Sequence, residues 1–527
     1  MTKYLLNRLL RGLCSVIVVV AIVMILIYSC LDRNQIFAND SNYTKMKSNA
    51  KETYKMQQWE KYGYVDYVPY ADWLKTLVQN GEITQETYDL AVKFGDTETA
   101  DSAIVKEYLA KFEEYYKGEL GYEIERLPAD TLGRKYKEGG KPAIYAYKNI
   151  PVLSRLWDYL TGIFNVDNIN KVQDDVGERG LTFTLYDPIY GGEKFSPAII
   201  GNGTHHKYLL YTDDQFPYIH QNLLTIKLGA SYSIRKDIDV FSIMTDTQGS
   251  FVTSTITYPS GLVEDSADNL HTATYVAGSF DNGTKVIKDR FVDNYTNVST
   301  VKNGLSKMGY SFVIGIISVF ITYLLAIPLG TLMALKKDKL VDKIGTIYIV
   351  FIMAVPSLAY IFLFKAVGTN PPFNLEGTFN MENPTWTMFV LPVISLALPS
   401  IANLMKWLRR YMIDQMNSDY VKFARAGGLS EGEIFTKHVL KNAIIPIIHG
   451  IPGSILGAMV GAIITEQVYT VPGAGNLLTN AIGAYDNGVI VGMTLFYALL
   501  SVVSIILGDI LMSLMDPRIS FVTKGRK

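Results

Sequence analysis

The chain has 527 residues, 49% of them hydrophobic, with 49 Lys and Arg against 50 Asp and Glu and a mean hydropathy of +0.14. That average is too apolar for an ordinary soluble protein, yet 19% of the residues are charged, and the two together fit membrane spans joined to a polar domain. The near-zero net charge gives no case for nucleic-acid binding. The two cysteines, Cys14 and Cys30, lie in or at the edge of the first apolar run, which excludes a disulfide scaffold for the polar part.

Lys3, Arg8 and Arg11 precede an apolar run from about Leu13 to Leu31, and about 20 residues suffice to cross a bilayer. No small-x-small cleavage site follows before Asp32-Arg33, so the run reads as an uncleaved anchor rather than a signal peptide. From Asp32 to about Lys307 no spanning stretch occurs. This polar, Tyr-rich region is expected to be a mixed α+β domain. Its first part, roughly Tyr43 to Arg126, reads as mostly helical with Thr84 and Ser102 as N-caps. Its second part, Leu181 to Phe291, reads as strands, with Asp281-Asn282-Gly283 as a hairpin signal.

Five more apolar spans follow, at Gly309–Leu335, Ile344–Phe364, Met388–Trp407, Ala443–Val468 and Val489–Met515, which makes six in all. Lys336, Lys337, Lys339 and Lys343 follow the second span. Lys406, Arg409, Arg410, Lys422 and Arg425 follow the fourth, and Arg518, Lys524, Arg526 and Lys527 close the chain. The loops Gly368–Thr387 and Tyr469–Gly488 contain neither Lys nor Arg. Cytoplasmic loops carry the excess of basic residues, so both termini are expected in the cytoplasm and residues 32–307 outside. The expected division is 1–31 as N-terminus and first helix, 32–307 as extracellular domain, 308–517 as a five-helix core with a cytoplasmic loop at 408–442, and 518–527 as a cytoplasmic tail.

Within the fifth span Gly453, Gly457 and Gly461 recur at four-residue spacing, which puts them on one helix face. That face suits either a pore-forming interface or ordinary packing within the chain. Pro328, Pro356, Pro392, Pro399, Pro446 and Pro452 fall in spans or at their ends, where kinks are tolerated. Glu466 is a candidate for the substrate route, against the plainer readings of snorkelling or local pairing. Asp509 is expected to make a structural hydrogen bond near the cytoplasmic end of the last span.

Between the fourth and fifth spans lies SDYVKFARAGGLSEGEIFTKHVLKNAIIPIIH, Ser418 to His449. Gly427-Gly428 breaks one short helix. Ser430 stands three residues before Glu433, the S-x-x-E capping box that opens another. That second helix is expected to place Ile434, His438 and Lys441 or Asn442 along one side. A capped helical elbow with a basic surface at a membrane face suits docking to a cytosolic partner better than catalysis.

The same stretch resembles the cytoplasmic loop of ABC importer membrane subunits that reads E-A-A, three residues, G, nine residues, I-x-L-P. The second Ala falls on Ala424, the Gly on Gly428 and the Leu on Leu440. Lys422 holds the Glu position, and His438 and Lys441 hold the final I and P positions. The adjacent A-R-A-x-G-L-S, from Ala424 through Arg425, Ala426 and Leu429 to Ser430, is similar to the dipeptide and oligopeptide permease form. Further matches are the opening YLLNRLLRGL, TEQVYTVPGAGNLLTNAI and GDILMSLMDPRI with Asp516-Pro517-Arg518. PVLSRLWDYLTGIFNVD and HQNLLTIKLGASYS resemble the short external loop of peptide permeases. KYLLYTDDQFPYIHQN resembles the long insertion of the streptococcal and lactococcal type.

The resemblance implies a permease subunit that moves oligopeptides inward by alternating access. It implies a second, homologous membrane subunit as heterodimer partner, two cytosolic ATPases at the Gly428 region, and an extracellular lipid-anchored peptide-binding protein. The chain itself would bind membrane lipid but no cofactor and no metal, with ATP and Mg on the ATPases. It has no G-x-x-x-x-G-K-[ST]; Gly139-Gly140-Lys141 is followed by Pro142. His205-His206 lacks ligand spacing and reads as surface. No catalytic set emerges, which disfavours an enzyme. A nickel or other small-solute permease shares the loop motif, and a surface scaffold with a membrane anchor would leave the capped loop without a use. For the insertion, docking of the binding protein is preferred over gating the entrance or merely stabilising the complex, because aromatics favour interfaces.

Overall fold

The computed structural model describes residues 2–95, 99–128, 141–187, 192–193, 195–212, 219–249, 304–381 and 385–515, with the short stretches 255–257, 263–265, 274–275 and 291–292. The hairpin signal at Asp281-Asn282-Gly283, the middle of KYLLYTDDQFPYIHQN, the Gly139-Gly140 pair and the Asp516-Pro517-Arg518 ending lie outside these residues.

The first apolar run is one helix, α1 (Thr2–Cys30), which takes in the basic residues that precede it in sequence. Val16, Val20, Met24 and Ile27 form its buried stripe, while Ile22 and Leu26 are exposed. A helix satisfies every backbone polar group internally, which is what lets an apolar segment sit in hydrocarbon.

The polar region begins with α2 (Ser48–Lys61), β1 (Val65–Pro69), α3 (Tyr70–Gln79), α4 (Gln85–Ala91), α5 (Ala103–Glu113), β2 (Glu123–Leu127) and β3 (Ala143–Asn149). The expected caps are in place: Thr84 accepts from the Thr87 amide and Ser102 from the Val105 amide. The three strands form an antiparallel sheet in the order β1-β3-β2. Tyr70, Trp73, Leu74, Phe112, Ile144 and Ala146 fill the core between that sheet and helices α3 to α5. Helix α6 (Val152–Gly162) follows, then a four-stranded antiparallel sheet of β4 (Gly180–Thr184), β5 (Ala198–Asn202), β6 (Tyr208–Thr212) and β7 (Ile219–Gln221) in sequence order. The histidine pair lies beside Asp167, whose carboxylate accepts from both histidine amides and lies 3.0 Å from His206 Nδ1. Among the described residues no group of three or more metal-ligating side chains occurs. A short helix, α7 (Val240–Thr245), leads back towards the membrane part.

The membrane part comprises α8 (Lys307–Leu335), α9 (Leu340–Ala354), α10 (Ser357–Thr369) and α11 (Val390–Met416). The elbow helix α12 (Asp419–Ala426), α13 (Ile451–Gly461), α14 (Ile463–Val468), α15 (Ala474–Gly483) and α16 (Asn487–Met515) complete it. Among the described residues, five helical segments are long and apolar enough to cross a membrane, or six if the bent pair α9–α10 counts as one span. The third apolar run is therefore not the straight helix its composition suggested. It turns by 109° between Ala354 and Ser357. Pro356 lacks an amide proton, and Val355 before it adopts extended backbone (ψ 132), as a residue preceding proline prefers. The fifth run is also broken, with Pro446 and Pro452 opening successive helical pieces. Helices α8 and α11 form the centre: Ala326, Met333, Ala397, Ile401 and Met405 interlock, and Gly330 admits the Leu408 side chain. Asp342 at the start of α9 accepts a bidentate pair of bonds, 2.6 Å each, from Arg409. Asp509 pairs with Arg8 at 2.6 Å and lies 3.5 Å from His449, tying together the ends of α1, α16 and the segment Ile445–His449.

The polar domain is locked to the bundle through one carboxylate. Asp486, fully buried just before α16, accepts from the Ser231 hydroxyl at 2.6 Å and from the amides of Tyr232, Ser233 and Ile234 at 3.3, 2.9 and 3.0 Å. Asn487 donates to the Tyr64 hydroxyl. Gly488 and Gly492 face the carbonyls of Ala230 and Leu228 so closely that any Cβ would clash. A second node, Asp40, receives hydroxyl bonds from Tyr54 and Tyr232, the Lys236 ammonium and the Tyr43 amide. Burial opposes its ionisation, but those donors outweigh burial and hold its carboxyl well below the usual carboxylate range.

Two outcomes are expected. Asp486→Ala should lower stability by about 3 kcal/mol by stranding buried amides, read as a lower thermal midpoint and faster proteolysis between residues 219 and 249. Because Asp40 has a depressed folded-state pKa, its stabilisation is complete above the unfolded value and is lost as pH falls below about 4. The stability gap between the native chain and Asp40→Asn should therefore shrink on acidification, which denaturant titrations across that range would measure.

Candidate functional site

The break in the elbow is built from backbone bonds. Helix α12 ends in a Schellman arrangement: the Leu429 amide donates to the Ala424 carbonyl at 3.3 Å and the Gly428 amide to the Arg425 carbonyl at 3.1 Å. This places Gly428 at φ +84, a left-handed conformation that glycine adopts without a Cβ penalty. Ser430 then starts the next helix. Its hydroxyl accepts from the Glu433 amide, and Glu433 accepts in turn from the Ser430 amide and hydroxyl, completing the capping box. Arg425 grips Glu431 with two bonds, clipping the end of one helix to the start of the other. The Ser430 bonds, with Lys437 adding to them, hold the Glu433 carboxyl below its ordinary range, and Arg425 does the same for Glu431.

Beyond the box the helix widens. Ile434–Leu440 is a π-helix, a rare form that recurs at functional sites. The spacing that put Ile434, His438 and Lys441 on one side assumed an α-helix, and the structure corrects it: Ile434, Phe435 and Val439 form the buried stripe, while Lys441 is exposed. That stripe packs with Val421, Leu408, Met412, Ala334 and Ile447, so the elbow rests on the ends of α8 and α11. His438 and Leu440 are half-buried, as is Ala424, and Arg425, Ala426, Gly428, Leu429 and Ser430 are exposed. Sequence reading passed over Phe423, which is 76% exposed beside them. Its signal was available: an aromatic side chain two residues after Val421 on a short helix, and so on the opposite face from it.

The other candidate residues lie elsewhere. Glu466 is fully buried inside the subunit. It accepts from the Ser311 hydroxyl at 2.6 Å and the Asn476 amide at 2.8 Å, and fits against Gly473 and Gly475 at the start of α15. Neither snorkelling nor a free pathway position describes that geometry. Gly453 and Gly457 are exposed. A Cβ on Gly457 would meet nothing within 4 Å, and one on Gly453 would reach only the Ser504 hydroxyl at 4.0 Å, so this face does not pack closely within the chain. Gly461 ends the same helix.

These residues form a broken run of apolar helices carrying an exposed, double-capped elbow at one end. A family described as "binding-protein-dependent transport system inner membrane component" matches residues 326–521, the stretch that contains the elbow. The oligopeptide transport system permease protein AmiC of Streptococcus pneumoniae is 33% identical over 533 residues, covering 100% of both chains. The chain belongs to the oligopeptide ABC permease family. The dipeptide permease protein DppB of Lactococcus lactis is 31% identical over 43% of this chain and 73% of its own length. The oligopeptide permease protein AppB of Bacillus subtilis is 30% identical over 41% and 71%. AmiC thus matches the whole length, whereas the other two match less than half of this chain. As a member of this family the chain is a polytopic helical membrane protein and a permease subunit of an ABC importer, not itself an enzyme. Such permeases work with ATPase and substrate-binding protein partners.

Ser430→Ala removes the cap and should cost about 1 kcal/mol of local helix stability. Faster amide hydrogen exchange at residues 431–433, with α11 unchanged, is the expected reading.

Proposed function

We propose that this permease passes oligopeptides inward as one half of a heterodimeric path made with a second, homologous membrane subunit. An extracellular lipid-anchored binding protein delivers the peptide. Two cytosolic ATPases, which hold the ATP and Mg, engage the elbow from Ala424 to Leu440. In this reading the chain spans the membrane six times, α9–α10 counting as one bent span, both termini are cytoplasmic, and residues 32–307 lie outside. The basic loops support that orientation. Alternating access follows: ATP binding closes the ATPase pair, the elbow moves with it, and α8 and α11 transmit the displacement because the elbow's buried stripe is packed on their ends.

The observation that carries this reading is the elbow itself. Its backbone is fixed by a Schellman turn, a capping box and an Arg425–Glu431 clip, yet its outer surface is left exposed, Phe423 by 76%. A rigid surface with an exposed aromatic is a docking surface. The glycine face of α13 fits the second subunit, since it is left open by this one.

Gly428 separates strain from docking. No atom lies within 4 Å of a Cβ built there, so Gly428→Ala bears only the left-handed backbone penalty of about 1 kcal/mol. Gly428→Trp adds bulk on the outer surface. With peptide-stimulated ATPase and uptake measured in the reconstituted complex, Trp should abolish coupling while Ala retains most of it, both variants remaining inserted. Normal transport by an inserted Gly428→Trp complex would overturn the docking assignment.

A further inference from the structure

Helix α6 (Val152–Gly162) carries three distinct stripes. At about 100° per residue, Arg155, Leu156 and Tyr159 share one side, Leu153, Trp157 and Leu160 the next, and Ser154, Asp158 and Thr161 the third. The first stripe faces the protein. Leu156 and Tyr159 pack on the cluster that contains Val16, Val20, Met24 and Ile27 of α1, and the Tyr159 hydroxyl donates to the Leu228 carbonyl at 3.3 Å. Arg155 fixes the roll of the helix, its guanidinium lying 3.6 Å from the Tyr28 ring centre and 4.1 Å from that of Tyr64. In the second stripe Leu160, nearest the first, also packs on that cluster, while Leu153 and Trp157 are turned outward, 70% and 68% exposed. The apolar surface continues past the helix through Phe164 and Val166, 61% and 52% exposed, on a strand paired with Leu224–Ile226. The third stripe is polar and exposed.

We propose that α6 is an interfacial helix, lying in the membrane–water boundary at the Cys30 end of α1 with Leu153 and Trp157 in the acyl region. Three observations select the bilayer as the occupant of this face. The helix is anchored at Tyr28, half a turn from the end of a spanning helix, so it sits at boundary level and its exposed stripe continues the lipid-facing surface of α1 represented by Ile22 and Leu26. Tryptophan prefers that depth, where its ring is apolar and its N–H meets water. The apolar stripe lies between the protein-facing and polar stripes, the order a helix half-sunk in a boundary requires. The only cation on α6 is Arg155, and it is held between two tyrosines, so insertion is apolar rather than electrostatic and does not need anionic lipid. The polar domain is then seated on the membrane surface as well as clamped to α16. This inference rests on α1 crossing the bilayer and is independent of what is transported.

The test is nitroxide accessibility in the full chain, with Cys14 and Cys30 replaced by serine and labels placed singly at Leu153, Ser154, Trp157 and Asp158. In nanodiscs of phosphatidylcholine, with or without phosphatidylglycerol, labels at 153 and 157 should collide several-fold more with oxygen than with a water-soluble nickel chelate, and labels at 154 and 158 the reverse. Preference for the nickel chelate at 153 and 157 would overturn the proposal and leave the face for a protein partner; exclusion of both probes there would overturn it by showing the face covered by protein. Unlabelled chain provides a second reading that no label can disturb: brominated lipid should quench the native chain more than Trp157→Phe, and equal quenching would count against insertion.

Discussion

Asp486 is the constraint on which the two halves of this protein depend. A single carboxylate gathers a hydroxyl and three consecutive amides of the segment 231–234, and it does so at the first residue before the last spanning helix. Buried amides left without an acceptor are costly, and charge-assisted acceptance is strong. The clamp therefore fixes register between the polar domain and α16 in a way that apolar contact alone, which tolerates sliding, does not. Gly488 and Gly492 are part of the same constraint, since only glycine lets the 228–230 backbone approach. Around it Tyr62, Tyr64 and Tyr232 supply hydroxyls to neighbouring groups, which accounts for much of the tyrosine richness near the junction.

The elbow obeys the opposite logic. Its inner stripe is secured to α8 and α11, its backbone is closed by local bonds, and its outer surface is left open. The proposed coupling role requires stiffness along the element's length and a free face. The capping box and the Arg425–Glu431 clip supply stiffness at solvent-exposed positions, where a salt bridge alone would contribute little. The π-helical stretch that follows them lets Ile434, Phe435 and Val439 all reach the core, which an α-helical spacing of those residues does not allow on one narrow stripe.

The breaks in the apolar runs follow from proline chemistry and have a consequence for packing. Pro356 turns the third run by 109°, and Pro446 and Pro452 divide the fifth. Here the divided fifth run leaves Gly453 and Gly457 facing outward, while Glu466 is drawn inward to cap α15. One buried carboxylate and one open glycine face, close in sequence, thus have separate roles.

Local chemistry was legible along the chain because it is local. Thr84, Ser102 and Ser430 declared their helix starts, Gly427-Gly428 declared the break, and hydropathy located every apolar run. The family resemblance carried by Ala424 to Ser430 came from the same short-range pattern. What composition could not reveal was how a run is bent or which way a face turns. The 109° turn, the outward glycine stripe and the burial of Glu466 each depend on partners far away in sequence. Asp486 and Phe423 went unnoticed for the same reason: an aspartate in a loop and a phenylalanine on a short helix are unremarkable until a residue 255 positions away, or the outward turn of the ring, gives them meaning. The sequence by itself determined where the apolar runs lie and where the capped helices begin, because those depend on backbone hydrogen bonding and transfer to hydrocarbon within a few residues. Only the tertiary structure decided which polar groups pair and which apolar faces remain open, because those depend on the distances between segments that folding alone brings together.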